Sequence, residues 1–191
     1  MLFPLFLRLA GKRVLVVGAG NVATKKIADL VEAGADVIVV APADGNAIPG
    51  VTRVERAFVE SDVDGAWLVF AATNDPAVQA AVTAAAEARH LFSIAIDDPP
   101  NGSAYSASVI RRAPITVAIS TSGEAPALAR LLREVLEQAL PDATWVADAR
   151  ALRERWRADG TPMTSRFEEL VRASQATRGM KLSDFPGPER R

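Results

Sequence analysis

Short aliphatic runs alternate along this chain with stretches in which apolar residues return every three or four positions. The runs lie at 14–17, 37–40, 67–72 and 92–96, with a shorter alternating one at 52–58. A wholly aliphatic run fits a parallel strand buried on both faces, and alternation fits a half-covered strand. After the first run, Ala23, Ile27, Leu30 and Val31 share one helical face, Lys25, Lys26, Asp29 and Glu32 take the other, and Gly34 supplies the stop. An alanine-rich helix is predicted over 76–89, with Asp75 as N-cap and Pro76 at the first helical position. Strand and helix in such alternation predict an α/β doubly wound parallel sheet, with ligands beyond the carboxyl ends of the strands.

From Ser103 the pattern changes. Runs at 105–110 and 115–120 are joined by Arg111-Arg112-Ala113-Pro114, too short for a crossover helix, so a β-hairpin is predicted. A helix follows with Leu128, Leu131, Leu132, Val135, Leu136 and Leu140 at helical spacing, stopped by Pro141. Two more helices fit 143–158 and 164–175, the second with a capping box at Ser165 and Glu168. At the start of the chain, residues 2–9 read as a strand or edge segment ending in a turn at Gly11. From Thr177 onward, Gly179, Pro186, Gly187 and Pro188 stand among charges, which predicts a mobile tail.

The first aliphatic run opens into Gly18-Ala19-Gly20-Asn21-Val22-Ala23, a G-x-G-x-x-A pattern between a strand and a helix. Glycines there let the backbone turn tightly and approach a pyrophosphate at the helix N-terminus, a Rossmann-like dinucleotide site. The competing reading is a plain glycine turn. An acidic residue often closes the second strand to hold the adenosine ribose, but Val40 and Ala41 stand there. Asp44 or loop backbone groups substitute, and no arginine close in sequence suggests a 2′-phosphate, so NAD is expected over NADP.

Composition narrows the classes. With 49% hydrophobic residues in 191, the chain supports one full core and a smaller appendage. The absence of cysteine excludes disulfides, thiolate metal sites and thiol nucleophiles, and a net charge of −1 argues against nucleic-acid binding. No apolar run spans a bilayer and no basic region precedes Met1-Leu2-Phe3-Pro4, so a cytoplasmic protein without a signal peptide is expected.

Together these residues resemble the precorrin-2 dehydrogenase/sirohydrochlorin ferrochelatase family, the N-terminal module of siroheme synthases. The matching motifs are Pro4-Leu5-Phe6, the run from Val16 through Gly18, Gly20 and Thr24 to Lys26, Ala71-Ala72-Thr73-Asn74-Asp75, Ile96-Asp97-Asp98-Pro99, and Ile119 through Thr121, Gly123 and Pro126 to Arg130. They follow the family's order over about residues 2–140. The resemblance implies an NAD-binding Rossmann domain (1–112), a dimerisation segment (113–141) and a small helical domain (142–176), with the tail at 177–191. It also implies a homodimer that oxidises precorrin-2 to sirohydrochlorin with NAD and, in bifunctional members, inserts ferrous iron to give siroheme. By position, Gly18, Gly20, Asn21, Val22, Pro42, Ala43 and Thr73 contact the dinucleotide, and Asp97 serves both reactions. Thr121, Ser122 and Gly123 contact the tetrapyrrole.

Elementary chemistry agrees with these roles. Dehydrogenation sends a hydride to the nicotinamide and a proton elsewhere, so a carboxylate at the crevice edge serves as general base. Metal insertion likewise removes protons from pyrrole nitrogens. Asp97 otherwise closes a strand-end turn with Asp98 and Pro99. A polycarboxylate substrate calls for arginines, and Arg111, Arg112, Arg130 and Arg133 are candidates against the commoner fate of a solvated face. Thr121-Ser122-Gly123 reads either as an anion-binding turn or as a simple N-cap. His90, the lone histidine, is expected at the surface and not as a ligand, no resident metal site is expected, and Trp67, Trp145, Trp156 and Tyr105 are expected to pack. Ala104 and Ala107 replace the family's usual Phe and Pro in a segment near the tetrapyrrole. The alternatives are an NAD-binding regulatory module without catalysis and a chelatase alone.

Overall fold

The computed structural model describes residues 2–42, 48–96, 98–140 and 143–178. Five parallel strands form one sheet in the order β3-β2-β1-β4-β5: β1 (Arg13–Val17), β2 (Asp36–Ala41), β3 (Thr52–Glu55), β4 (Leu68–Ala71) and β5 (Phe92–Ala95). The expected doubly wound α/β sheet is therefore present. The inner strands are aliphatic on both faces because each face lies against its own apolar cluster. One gathers Val14, Val16, Val37 and Val39 with Ile27 and Leu30, and the other Leu15, Val17 and Val69 with Val82 and Ala86.

Helix α1 (Asn21–Glu32) buries Ala23, Ile27 and Leu30. Val31, expected on that face, lies at its margin and is 37% exposed. Helix α2 (Pro76–Glu87) starts where Asp75 accepts from the N–H groups of Ala77 and Val78, at 2.9 and 3.3 Å. This is an N-cap with proline at the first helical position, as the sequence predicts. The chain splits into two compact units, one comprising residues 1–107 with 120–128 and the other 108–119 with 129–191.

In the second unit, β6 (Ser108–Arg112) and β7 (Ile115–Ile119) pair antiparallel across a cis Ala113–Pro114 peptide. The hairpin is thus real, but its first strand begins at Ser108 instead of 105. Helix α3 (Pro126–Ala139) runs from the first unit into the second, where it is followed by α4 (Ala143–Ala158) and α5 (Met163–Arg178). Glu169 of α5 joins α4 by accepting from Arg155 at 2.7 Å and from the Trp156 indole at 2.8 Å.

Three expectations are corrected. Residues 2–9 form no strand: neither sheet edge takes them, the outer edge of β5 being bonded by Ala104 N–H to Ser93 O at 2.9 Å, and Pro4 has no N–H to offer a ladder. The Ser165–Glu168 capping box does not form, because α5 starts earlier, at Met163. Ser165 instead donates its hydroxyl to Pro162 O at 3.0 Å. Helix α5 continues through Thr177 and Arg178, where the tail was expected to begin, and residues 179–191 lie outside the described residues.

Candidate dinucleotide site at the carboxyl edge of the sheet

The carboxyl ends of four neighbouring strands are tied by backbone hydrogen bonds. Gly18 N–H donates to Val40 O at 2.9 Å, Ala72 N–H to Val17 O at 2.8 Å and Ile96 N–H to Ala71 O at 3.0 Å. The loops that follow β1, β2, β4 and β5 therefore leave from one ordered rim. The chain reverses its strand order between β1 and β4, which is where an open parallel sheet holds ligands.

The two glycines of the first loop have different physical causes. Gly18 lies at φ +110°, and a Cβ there would sit 2.2 Å from Ala72 O, so β4 itself forbids a side chain. Among the described residues, chain neighbours aside, no atom lies within 4 Å of the would-be Cβ of Gly20. This glycine is the N-cap of α1, provides no side-chain cap, and is followed by no acidic residue in the first turn. Open space over an uncapped helix N-terminus is what a pyrophosphate requires: N–H donors, a positive dipole end and room for close approach. Asn21 and Val22 stand exposed beside it. The residues present thus fit a dinucleotide.

Thr73 is half-buried at the end of β4, and its hydroxyl accepts from Asp75 N–H at 3.2 Å, which links the rim to the cap of α2. Pro42 is exposed after β2, and Ala43 and Asp44 lie outside the described residues. The premise that no arginine stands near the ribose end is corrected. Arg53 on β3 donates to Pro42 O at 2.7 Å, brought there by parallel pairing of β2 with β3.

Asp97 also lies outside the described residues, but both of its chain neighbours are fixed. Ile96 is held through its N–H by Ala71 and through its carbonyl by the side-chain amide of buried Gln79, at 2.7 Å. Asp98 bonds Asn101 through its carboxylate, and its carbonyl accepts from Asn101 N–H at 3.1 Å. The carboxylate of Asp98 is thus committed to its own turn. Gln79 had no signal in the sequence, since a polar residue inside a helical repeat reads as solvent-facing.

At Thr121-Ser122-Gly123, Ser122 and Gly123 adopt φ of +55° and +83°. Ser120 Oγ accepts from Ser122 N–H at 3.1 Å, Thr121 O from Glu124 N–H at 2.9 Å, and Thr121 Oγ1 from Ala125 N–H at 3.2 Å. The turn therefore satisfies most of its own donors ahead of α3. These residues belong to the unit that carries the glycine loop, whereas Arg111 and Arg130 belong to the other. Arg130 pairs with Glu134 at 2.9 Å and through that hydrogen bond holds its carboxyl below the usual range. Arg112 caps α3 by donating to Leu140 O and Glu137 O at 2.6 and 2.9 Å, and Arg133 pairs with Glu137 at 3.1 Å. His90 is exposed past the end of α2, on the amino-terminal side of β5. Among the described residues no group of three or more acidic or histidine side chains could hold a metal. Trp156 packs as expected, whereas Trp67 is largely exposed with Lys12 Nζ 4.1 Å from its ring centre.

This sheet, its order reversal and the glycine loop define an NAD(P)-binding protein of Rossmann type. A family model described as putative NAD(P)-binding matches residues 5–108, and one described as sirohaem biosynthesis protein, central, matches 112–139. The chain belongs to this putative NAD(P)-binding family. Siroheme synthase 1 of Yersinia enterocolitica is 44% identical over 160 residues, covering 81% of this chain and 34% of that protein. Siroheme synthase 3 of Aeromonas hydrophila is 39% identical over 192, covering 95% and 41%. The chain thus spans about a third to two fifths of the length of these relatives. A solved structure titled SirC, precorrin-2 dehydrogenase, shares the fold, with TM-score 0.67, 23% identity and coverage of 90% and 88%.

Proposed function

We propose that this chain oxidises precorrin-2 to sirohydrochlorin with NAD. The observation that carries the reading is the open, uncapped N-terminus of α1 at Gly20, in a chain whose relatives include siroheme synthases. The relatives' names point to the tetrapyrrole, and the fold neighbour's title to the oxidation step. The cofactor, when bound, supplies the hydride acceptor. The N–H groups at the start of α1 hold its pyrophosphate, with Asn21, Val22, Pro42, Ala43 and Thr73 around the rest. Asp97 takes the proton that leaves the macrocycle as the hydride departs, so the substrate loses two electrons and two hydrogens in balance. Thr121, Ser122, Gly123, Arg111 and Arg130 are proposed to face the substrate's carboxylates.

We also propose a homodimer that works in the cytoplasm. Leu128, Leu131, Leu132, Val135 and Leu136 stand exposed on α3, an apolar stripe of the kind that a second copy covers. Among the described residues no helix is long and apolar enough to cross a membrane.

The test is spectrophotometric. Purified protein given precorrin-2 and NAD should form sirohydrochlorin and NADH together, and Asp97→Ala should stop both while leaving the fold intact. Normal turnover by Asp97→Ala would remove this residue from the mechanism. Tight NAD binding with no response to any tetrapyrrole would instead identify a regulatory module. A parallel arm with sirohydrochlorin and ferrous iron, without NAD, reads insertion separately.

A further inference from the structure

We infer that the amino-terminal edge of the parallel sheet, opposite the nucleotide loop, carries a second binding site, one that takes a flat aromatic carboxylate. The inference stands independently of the function proposed for the carboxyl rim.

A cavity of about 470 Å³ lies where β4 and β5 begin. Small-molecule sites fall in the range of roughly 300–1,000 Å³, so the space suffices for a ring and its substituent. Two aromatic side chains line it, Trp67 from the residue before β4 and Phe92 from the first residue of β5. Leu68 pairs with Phe92, which brings the two strand starts side by side. Leu7, Leu9 and Leu91 supply aliphatic lining.

The rings do not serve the core. Trp67 is 57% and Phe92 47% exposed, whereas Phe70 within β4 is 5% exposed. Trp67 is nevertheless held: its N–H donates to Arg13 O at 2.9 Å, and Lys12 Nζ stands 4.1 Å from the ring centre. Lys12 does not line the cavity, so the ring surface that does is left to a guest. A ring fixed before a ligand arrives loses little freedom when the two stack.

Charge selects the guest. Besides these apolar groups the cavity is lined by Arg8 and His90, and by no acidic side chain. Neither Arg8 nor His90 enters an ion pair or a side-chain hydrogen bond among the described residues. Asp64, the acid that precedes Ala66 and Trp67 in the chain, is already paired with Arg89 at 2.6 Å. A guanidinium beside apolar walls suits a planar carboxylate, which it can hold through two N–H donors while the ring lies on the aromatic lining.

His90 adds a separate observation. It follows α2 at φ +55°, with its N–H on Glu87 O at 2.9 Å and Leu91 N–H on Ala86 O at 3.0 Å. A turn that ends a helix this way favours glycine, which adopts that conformation without steric cost. The imidazole is exposed, so core burial does not offset the strain of its backbone. A ring N–H directed to a ligand gives the side chain a use.

Calorimetric titration of the full chain with cinnamate, and with cinnamamide as its neutral counterpart, tests the site. Cinnamate should saturate one site per chain with Kd below about 1 mM, and the amide should bind several-fold more weakly. Saturating NAD should not displace it. Arg8→Gln, at an exposed position, should lower cinnamate affinity about fivefold or more and leave the amide unmoved. Trp67→Leu should weaken both compounds alike. His90→Gly should weaken cinnamate binding while its thermal midpoint stays at or above that of wild type, a combination that a merely structural histidine would not give. Equal affinity for acid and amide, or unchanged cinnamate binding in Arg8→Gln, overturns the inference, and Arg8→Gln decides even if Trp67→Leu does not fold. Failure of cinnamate to saturate by about 10 mM overturns it as well. If that failure comes with a change of sedimentation in Trp67→Leu, a second copy covers the rings instead.

Discussion

Gly18 and Gly20 stand two residues apart, yet only Gly18 is kept free of a side chain by another part of the protein. A methyl at Gly18 would overlap Ala72 O and would have to adopt φ +110°, so Gly18→Ala should cost on the order of 2–4 kcal/mol of stability, read as a clear drop in thermal midpoint. At Gly20 an added Cβ meets open space among the described residues, so Gly20→Val should change the midpoint far less than Gly18→Ala. Gly20→Val should still weaken NAD binding by about tenfold or more, because the side chain fills the space where the pyrophosphate approaches. Calorimetric titration alongside a melt separates the two effects; equal NAD affinity in Gly20→Val would sink the assignment of this loop. Both glycines were legible in the sequence from their spacing between strand and helix, although the atom that crowds Gly18 comes from the distant end of β4. Arg53 on Pro42 and Gln79 on Ile96 were not. Their partners lie 11 and 17 residues away, and only strand pairing and helix packing bring them together.

At the scale of single elements, helix caps and one ion pair carry testable weight. Asp75 caps α2 with two hydrogen bonds, so Asp75→Ala should cost about 1 kcal/mol and lower the midpoint by roughly 2–4 °C. Asp62, in the single turn before β4, accepts twice from Arg56, at 2.8 and 2.5 Å, and from Val59 N–H at 2.9 Å. The Arg56 hydrogen bond, helped by Val59, holds the Asp62 carboxyl below the usual range against the opposing effect of burial. A carboxylate depressed in the folded state stabilises above its unfolded pKa, near 4, and this stabilisation is lost as pH falls through the lower folded value. Urea midpoints measured from about pH 6 down to 3 should therefore fall more steeply in wild type than in Asp62→Asn. Parallel slopes would show that the pair contributes no linkage. The sequence foretold the strands and the α2 cap, but it misplaced residues 2–9 and the start of α5. A strand exists only if a neighbour accepts it, and a capping box only if the helix starts at its first residue.

For the whole molecule, the stripe on α3 leaves a row of large apolar side chains exposed in the single chain. Leu131→Lys with Val135→Lys should convert a dimer to monomers in sedimentation equilibrium, with far-UV dichroism unchanged, because two buried charges oppose association across a two-fold interface. A wild-type chain that sediments as a monomer at high concentration would refute the dimer. The periodicity of this stripe was plain in the sequence, but periodicity alone cannot say whether the apolar face turns toward its own core or away from it. The exposures of Leu131 and Val135, each 55%, decide that these residues face outward in the single chain.

The amino-acid order by itself determined the parallel α/β sheet, its glycine loop, the hairpin and the following helices. Each follows from local periodicity, from turn residues, or from the need of an aliphatic strand to be covered on both faces. Tertiary structure alone decided which distant groups meet at the carboxyl rim: Gly18 against Ala72, Arg53 against Pro42, Gln79 against Ile96. Those contacts depend on strand order and on the placement of helices over the sheet, quantities that no residue encodes until all of them are packed.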